Sequence, residues 1–415
     1  MKEINRIIRK KGIHILLAAA LLGALLSGCG KSAPDMTLAQ TDVTAISVPE
    51  SVQVVGLGEA SHGVKEYQQM KEEVFRALVQ NNGCRTFIIE GDFGSALKVD
   101  AYIHGGEGTP REAAALIGFR IYRTEEMAHL LEWMRSYNET APQGEDLHFY
   151  GMDMQWADNG KEYLFGILEQ AAPRISAEYE EKLAFLNDGD MYEISQEAFE
   201  QGMEDAQQLL KDVDGAQKLI EEAFGEETFA FARECAYSLY ACCDIRRSDS
   251  TYNETRDSYM AKKVKWFLSH GDGSLLFING HNGHIGKVNA QPWYDCLGKL
   301  LTQELGDRYF AIGTDARVTA FNSQTQDSYV KSQVENKNAL NALAGELEGK
   351  RYYVDFAAVA GQDGWSGVIT EEQRITSLNV GGIIPLKIFY TSKIVPNETF
   401  DGMIVFEEVS PSTMD

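Results

Sequence analysis

Cysteine is scarce in this 415-residue chain: there are six, two of them adjacent at Cys242 and Cys243, and none stand in a CxxC spacing. That scarcity excludes a disulfide framework, a zinc ribbon and a thioredoxin-like motif. Positive charge is also in short supply, with 38 Lys and Arg against 62 Asp and Glu and a formal net charge of −24. A surface of that sign repels a phosphate backbone, so nucleic acid is not an expected partner. No internal repeat and no low-complexity tract is found, which removes solenoids and repeat arrays from consideration. What is present is 44% hydrophobic, 24% charged and 10% aromatic, the composition of a globular protein with a sizeable core.

Near the start, Lys2, Arg6, Arg9, Lys10 and Lys11 precede a Leu- and Ala-rich run from Ile13 to Leu26. A basic stretch followed by an apolar run too short for a comfortable span of ~20 residues reads as an export signal. It ends in Leu26-Ser27-Gly28-Cys29, which resembles the lipobox of bacterial lipoproteins. The resemblance implies cleavage before Cys29, acylation of its thiol, and a protein held by an N-terminal lipid anchor on the extracytoplasmic face of the cell membrane. Residues 1–28 are then a signal peptide, and residues 29–45, rich in Gly, Ser, Pro, Asp, Thr and Gln, a polar tether.

Beyond the tether, short apolar runs alternate with amphipathic segments. Val52 to Leu57, Thr86 to Ile89 and Leu147 to Gly151 read as strands, and Glu66 to Asn81, Ala96 to Ile103 and Glu125 to Tyr137 as helices. Strands resume at Ser274 to Ile278, Tyr309 to Gly313 and Gly402 to Phe406, with a helix from Trp293 to Glu304. The expected fold is α/β, a mainly parallel sheet flanked by helices. Residues 46–160 and 270–415 form its core, and the acidic helical stretch 161–269 is an insertion or lid.

In such sheets ligands sit beyond the carboxyl ends of the strands, so the polar residues after each apolar run carry the most weight. Those runs end in Gly58-Glu59-Ala60-Ser61-His62-Gly63, Glu90-Gly91-Asp92, Gly151-Met152-Asp153 and Gly280-His281-Asn282-Gly283-His284. If the strands are neighbours, imidazoles and carboxylates converge on one rim.

The first of these segments, followed by a helix, resembles the opening motif of the erythromycin esterase family. Phe87-Ile88-Ile89-Glu90, Glu132 to Asn138, Phe149 to Gln155, Arg256-Asp257-Ser258-Tyr259-Met260-Ala261 and the His281 to His284 loop extend the likeness in order along the chain. The resemblance implies hydrolysis of an ester, or of a macrolide lactone, by water and a histidine base with no covalent intermediate. Its carried-over residues are His62, Glu90, Arg256 and a histidine of the loop. Imidazole titrates near neutral pH, so His62 is the expected general base. Glu90 is expected to hold that ring or the water. Arg256 suits an oxyanion or a substrate carboxylate, or is a helix-surface cation paired with Asp257 or Glu254. His281 is expected to polarise the carbonyl or protonate the leaving alkoxide, with His284 as the second candidate. Glu59, Ser61 and Asp153 complete the set as substrate-binding or supporting groups.

Rival readings use the same residues. Ser61 sits on a strand-to-helix turn like a nucleophile elbow, although Glu59 stands where that elbow needs Gly. No cofactor is expected, but His62, Glu90, His281 and His284 offer an alternative divalent-metal site. Gly56 to Ser61 imitates a dinucleotide fingerprint without its third Gly. A surface lipoprotein that binds a small molecule or haem without turnover is the non-catalytic alternative.

Overall fold

The computed structural model describes residues 33–271, 273–289, 293–324, 329–378 and 390–413. The expected signal peptide and the expected acylation site Cys29 lie outside the described residues. The central element is an eight-stranded sheet in the order β3-β2-β4-β1-β5-β10-β7, with β6 paired to β5. Its strands are β1 (Val54–Glu59), β2 (Thr86–Asp92), β3 (His148–Asp153), β4 (Leu276–His281), β5 (Tyr309–Gln324), β6 (Tyr329–Glu335), β7 (Arg351–Asp355) and β10 (Gly402–Val409). The strands from β3 to β10 along this path are parallel, while β6 pairs antiparallel with β5 and β7 antiparallel with β10. A separate antiparallel pair joins β8 (Gln373–Thr376) and β9 (Thr391–Ile394). A mixed α/β fold with a mainly parallel sheet is therefore what the chain adopts.

The strands read as continuous apolar runs because both sheet faces are covered. Alternate residues divide between two cores: Val54, Ile88, Ile278 and Met152 belong to one, Val55, Leu57, Phe87, Ile89 and Phe277 to the other. The second core is closed by α1 (Lys65–Asn82), α2 (Phe93–Ile103), α3 (Pro110–Leu116) and α4 (Glu125–Asn138). The first is closed by the helical excursion between β3 and β4. It comprises α5 (Asp158–Ala171), α6 (Pro173–Lys182), α7 (Gln196–Gly215), α8 (Gln217–Phe224), α9 (Glu226–Arg246) and α10 (Tyr252–His270).

Three expectations are revised. Leu164, Leu209, Leu239 and Met260 of the helical stretch share one continuous apolar cluster with Met152 and Ile278 of the sheet, so these helices wall the core directly. The stretch expected to be a polar tether is docked over its described part. Asp35 and Asp42 cap short turns at Met36–Leu38 and Val43–Ala45. Gln40 exchanges backbone hydrogen bonds of 2.8 and 2.7 Å with Tyr353 on β7, and the buried Val43 joins the core. Its polar side chains cap these turns and stay mostly exposed while the backbone docks on the sheet. The helix expected from Trp293 begins at Leu297 and ends at Leu305 (α12), after the short α11 (Asn282–Ile285).

Candidate active site

Because β3, β2, β4 and β1 are parallel neighbours, all four terminal motifs reach the same rim. The register aligns Glu59 of β1 with His281 of β4. Glycines make this close assembly sterically open: a Cβ on Gly280 would stand 2.9 Å from Glu90 Oε2, and one on Gly58 2.2 Å from Asn282 Oδ1. Asn282 in turn donates to the Thr314 carbonyl at 2.8 Å, tying the β4 loop to β5 across the end of β1.

His62 stands on the turn after β1, where Gly63 takes a left-handed φ of 70°. Its Nδ1 lies 2.6 Å from Glu59 Oε1. With the Nδ1 proton committed to that carboxylate, the Nε2 lone pair is left for chemistry. The carboxylate behind His62 is thus Glu59 and not Glu90, the residue expected there. Glu59 is buried, and burial raises its carboxyl, but Lys71 and His62 outweigh that effect and hold it below the usual range. Lys71, on α1, is fully buried with its Nζ 3.3 Å from Glu59 Oε2 and 4.6 Å from the centre of the Tyr122 ring.

Glu90 has a different task. Its Oε2 accepts the backbone N–H of His281 at 2.8 Å, and its Oε1 accepts from Arg256 Nη2 at 2.7 Å. Arg256, carried into the core by α10, also donates to both oxygens of Asp153, with Nη2 to Oδ2 at 2.6 Å. Its Nη1 lies 3.1 Å from His284 Nε2. Arg256 is therefore no helix-surface cation, and neither Asp257 nor Glu254 is its partner. Burial raises the Glu90 carboxyl, yet His284 and Arg256 overcome it and keep the group ionised far below the ordinary range.

The two loop histidines divide sharply. His284 has acids on both sides: Nδ1 approaches Asp257 Oδ1 at 2.7 Å as an ion pair without an aligned hydrogen bond, and Nε2 lies 3.4 Å from Glu90. Burial lowers its pKa, but Asp257 and Glu90 carry it above the usual value. His281 Nδ1 accepts the N–H of Gly283 at 3.1 Å, which fixes the proton on Nε2. That Nε2 is buried and has no partner among the described residues. Burial, reinforced by His62 and His284, pushes the ring down to about 3, so it stays neutral. The His62 and His281 rings are neighbours, with centroids 5.3 Å apart and planes tilted by 51°.

The remaining expected residues have supporting positions. Ser61 is buried, with its hydroxyl donating to the His62 carbonyl at 2.9 Å, and Leu378 pairs with this turn through a 2.9 Å bond to the Ala60 carbonyl. Asp153 is fully buried and, besides Arg256, accepts from Gln155 Nε2 at 2.7 Å. Lys71 and Tyr122 join the site beyond the expected set, and Asp257 faces His284 and not Arg256. Lys71 alone carried a signal, a charge on the inward stripe of Tyr67, Met70 and Val74.

The sequence profile of the Erythromycin esterase family matches residues 79–409. The chain belongs to the erythromycin esterase family. A curated relative, "Erythromycin esterase type II" of Escherichia coli, is 25% identical over 307 residues, covering 66% of this chain and 71% of that one. Two solved structures share the fold. A Bacillus cereus protein superposes with a TM-score of 0.76 at 22% identity, covering 88% of this chain and 90% of its own. An erythromycin esterase mutant in its open conformation gives 0.67 at 14% identity, with coverage of 91% and 98%. Membership in this erythromycin esterase family places the protein among hydrolases, and its matched region runs along the chain from β2 to β10 with the Glu90, Arg256 and His281 segments.

Proposed function

We propose that the protein hydrolyses a carboxylic ester or lactone by direct attack of water. The observation that carries this reading is the neighbouring pair of imidazoles with complementary free nitrogens: a lone pair on His62 Nε2 and an unpartnered N–H on His281 Nε2. His62 takes a proton from water as the hydroxyl oxygen bonds to the carbonyl carbon, and Glu59 stabilises the imidazolium that forms. The carbonyl oxygen, becoming an oxyanion, accepts the hydrogen bond from neutral His281. Collapse breaks the bond to the alkoxide, which takes the proton back from His62. Arg256, Glu90, Asp153 and His284 form the charged scaffold that fixes the His281 loop.

Direct attack is favoured over an acyl-enzyme because the Ser61 hydroxyl is buried and turned onto a backbone carbonyl. A divalent ion among His62, Glu90, His281 and His284 fits poorly, since the Arg256 guanidinium already occupies the space among Glu90, Asp153 and His284 and repels a dication. Macrolide lactones are the first substrates to test, given the relative named for erythromycin. We further propose that the enzyme is exported and acylated at Cys29, on the strength of the lipobox sequence. The experiment is incubation of the purified protein with a macrolide panel beside His62→Ala, read by mass spectrometry for the gain of one water. Hydrolysis by the wild type and its loss in the variant are expected; an unchanged rate in His62→Ala would sink the mechanism.

A further inference from the structure

At the opposite end of the sheet from the rim, the end of α2 and the start of β3 bring three side chains together. Asp100 and His104 are four residues apart and share one face of α2, while His148 opens β3. One ligand atom from each lies within 4.8 Å of those of the other two. Asp100 Oδ2 is 3.5 Å from His104 Nδ1, Asp100 Oδ1 is 3.5 Å from His148 Nδ1, and the two rings are 4.9 Å apart. Separations of this length exceed those of a good hydrogen bond. The Asp100 Oδ1 to His148 Nδ1 separation matches the edge of about 3.4 Å between ligand atoms in a tetrahedron with metal bonds of about 2.1 Å, and His104 offers its Nε2 as the third ligand atom.

The surroundings hold these groups in place. His104 Nδ1 lies 2.8 Å from the Asp100 carbonyl oxygen, a contact that takes the Nδ1 proton and leaves the Nε2 lone pair. Asp100 Oδ1 accepts the Phe149 N–H at 2.8 Å, and the Tyr150 hydroxyl lies 3.2 Å from His148 Nδ1. Asp146 and Glu227 add negative potential around His148. We propose that Asp100, His104 and His148 form a binding site for one zinc-class divalent ion, separate from the active site. Two imidazoles and a carboxylate suit that ion and leave a fourth position open. His148 also lines a cavity of about 460 Å³ with Tyr150, Phe231, Trp266 and Phe267, so the ion stands at the edge of an aromatic chamber.

The test is titration of the untagged, chelator-stripped full chain with zinc, followed by calorimetry and equilibrium dialysis. One zinc per chain is expected, with affinity lowered at least about tenfold in both His148→Ala and Asp100→Asn. His62→Ala should bind zinc as the wild type does. Melting curves establish that each variant is folded, and if His148→Ala is not, Asp100→Asn carries the comparison. Absence of zinc uptake by the wild type at micromolar zinc, unchanged affinity in the folded variants, or loss of binding in His62→Ala would each overturn the proposal.

Discussion

Replacement of Glu59 by Gln separates the chemistry of the rim from its stability. The variant keeps a side-chain oxygen within reach of His62 Nδ1 but removes the negative charge that faces the ring at 2.6 Å. A hydrogen bond to a charged group contributes about 1.5–3 kcal/mol. If that contribution appears only as His62 becomes cationic, kcat falls about ten- to 150-fold. The same change leaves Lys71 buried without its ion-pair partner at 3.3 Å. Stranding one member of a buried pair costs about 3–5 kcal/mol, so the single variant should also melt at lower temperature. The double variant Glu59→Gln/Lys71→Met removes the stranded ammonium and should recover most of the stability while kcat stays low. Kinetics on an ester that the wild type hydrolyses, run beside thermal melts, distinguish the two effects. Recovery of rate together with stability in the double variant would refute a chemical role for Glu59.

Arg256→Met leaves the buried Glu90 and Asp153 carboxylates without their shared cation, and denaturant unfolding should show a loss of about 3–5 kcal/mol. Arg256→Lys should rescue little of it, because one ammonium cannot reproduce the fork across Asp153 and Glu90; a loss below about 1 kcal/mol in the Met variant would contradict this. Asp92 is buried at the end of β2, and burial pushes its carboxyl from 3.8 up to about 7. A raised folded-state value means full stability below the unfolded value and a growing cost as pH rises through the folded one. Asp92→Asn can still accept the Ser95 N–H, so it should gain about 2–3 kcal/mol on the wild type between about pH 5 and 8; parallel stability profiles would show otherwise.

The rim was legible because parallel topology turns strand ends into neighbours. Reading four apolar runs was enough to bring His62, Glu90, Asp153 and His281 to one edge. The pairing of partners was not legible. Glu59 and Glu90 both end strands, and which of them meets His62 depends on the turn geometry after β1 and on the Lys71 ammonium arriving from α1. Arg256 lies about a hundred residues from Asp153, and only the packing of α10 beside β3 makes them adjacent. The polar run before Val43 misled for the opposite reason. Asp35 and Asp42 bond to the threonines two residues on, so the segment holds tight turns with exposed polar side chains while its backbone docks on β7.

That docked segment sets the length of a mooring line. Trp365 Nε1 fixes the Asp35 carbonyl at 3.0 Å, and Gln40 is paired to β7. If Cys29 carries the lipid, the stretch from it to Asp35 pays out no more than about 20 Å whatever path it takes. The domain would then ride close to the bilayer. Substrate would be met in the thin layer of solution next to the membrane, and the rim would turn over what reaches that layer before it crosses.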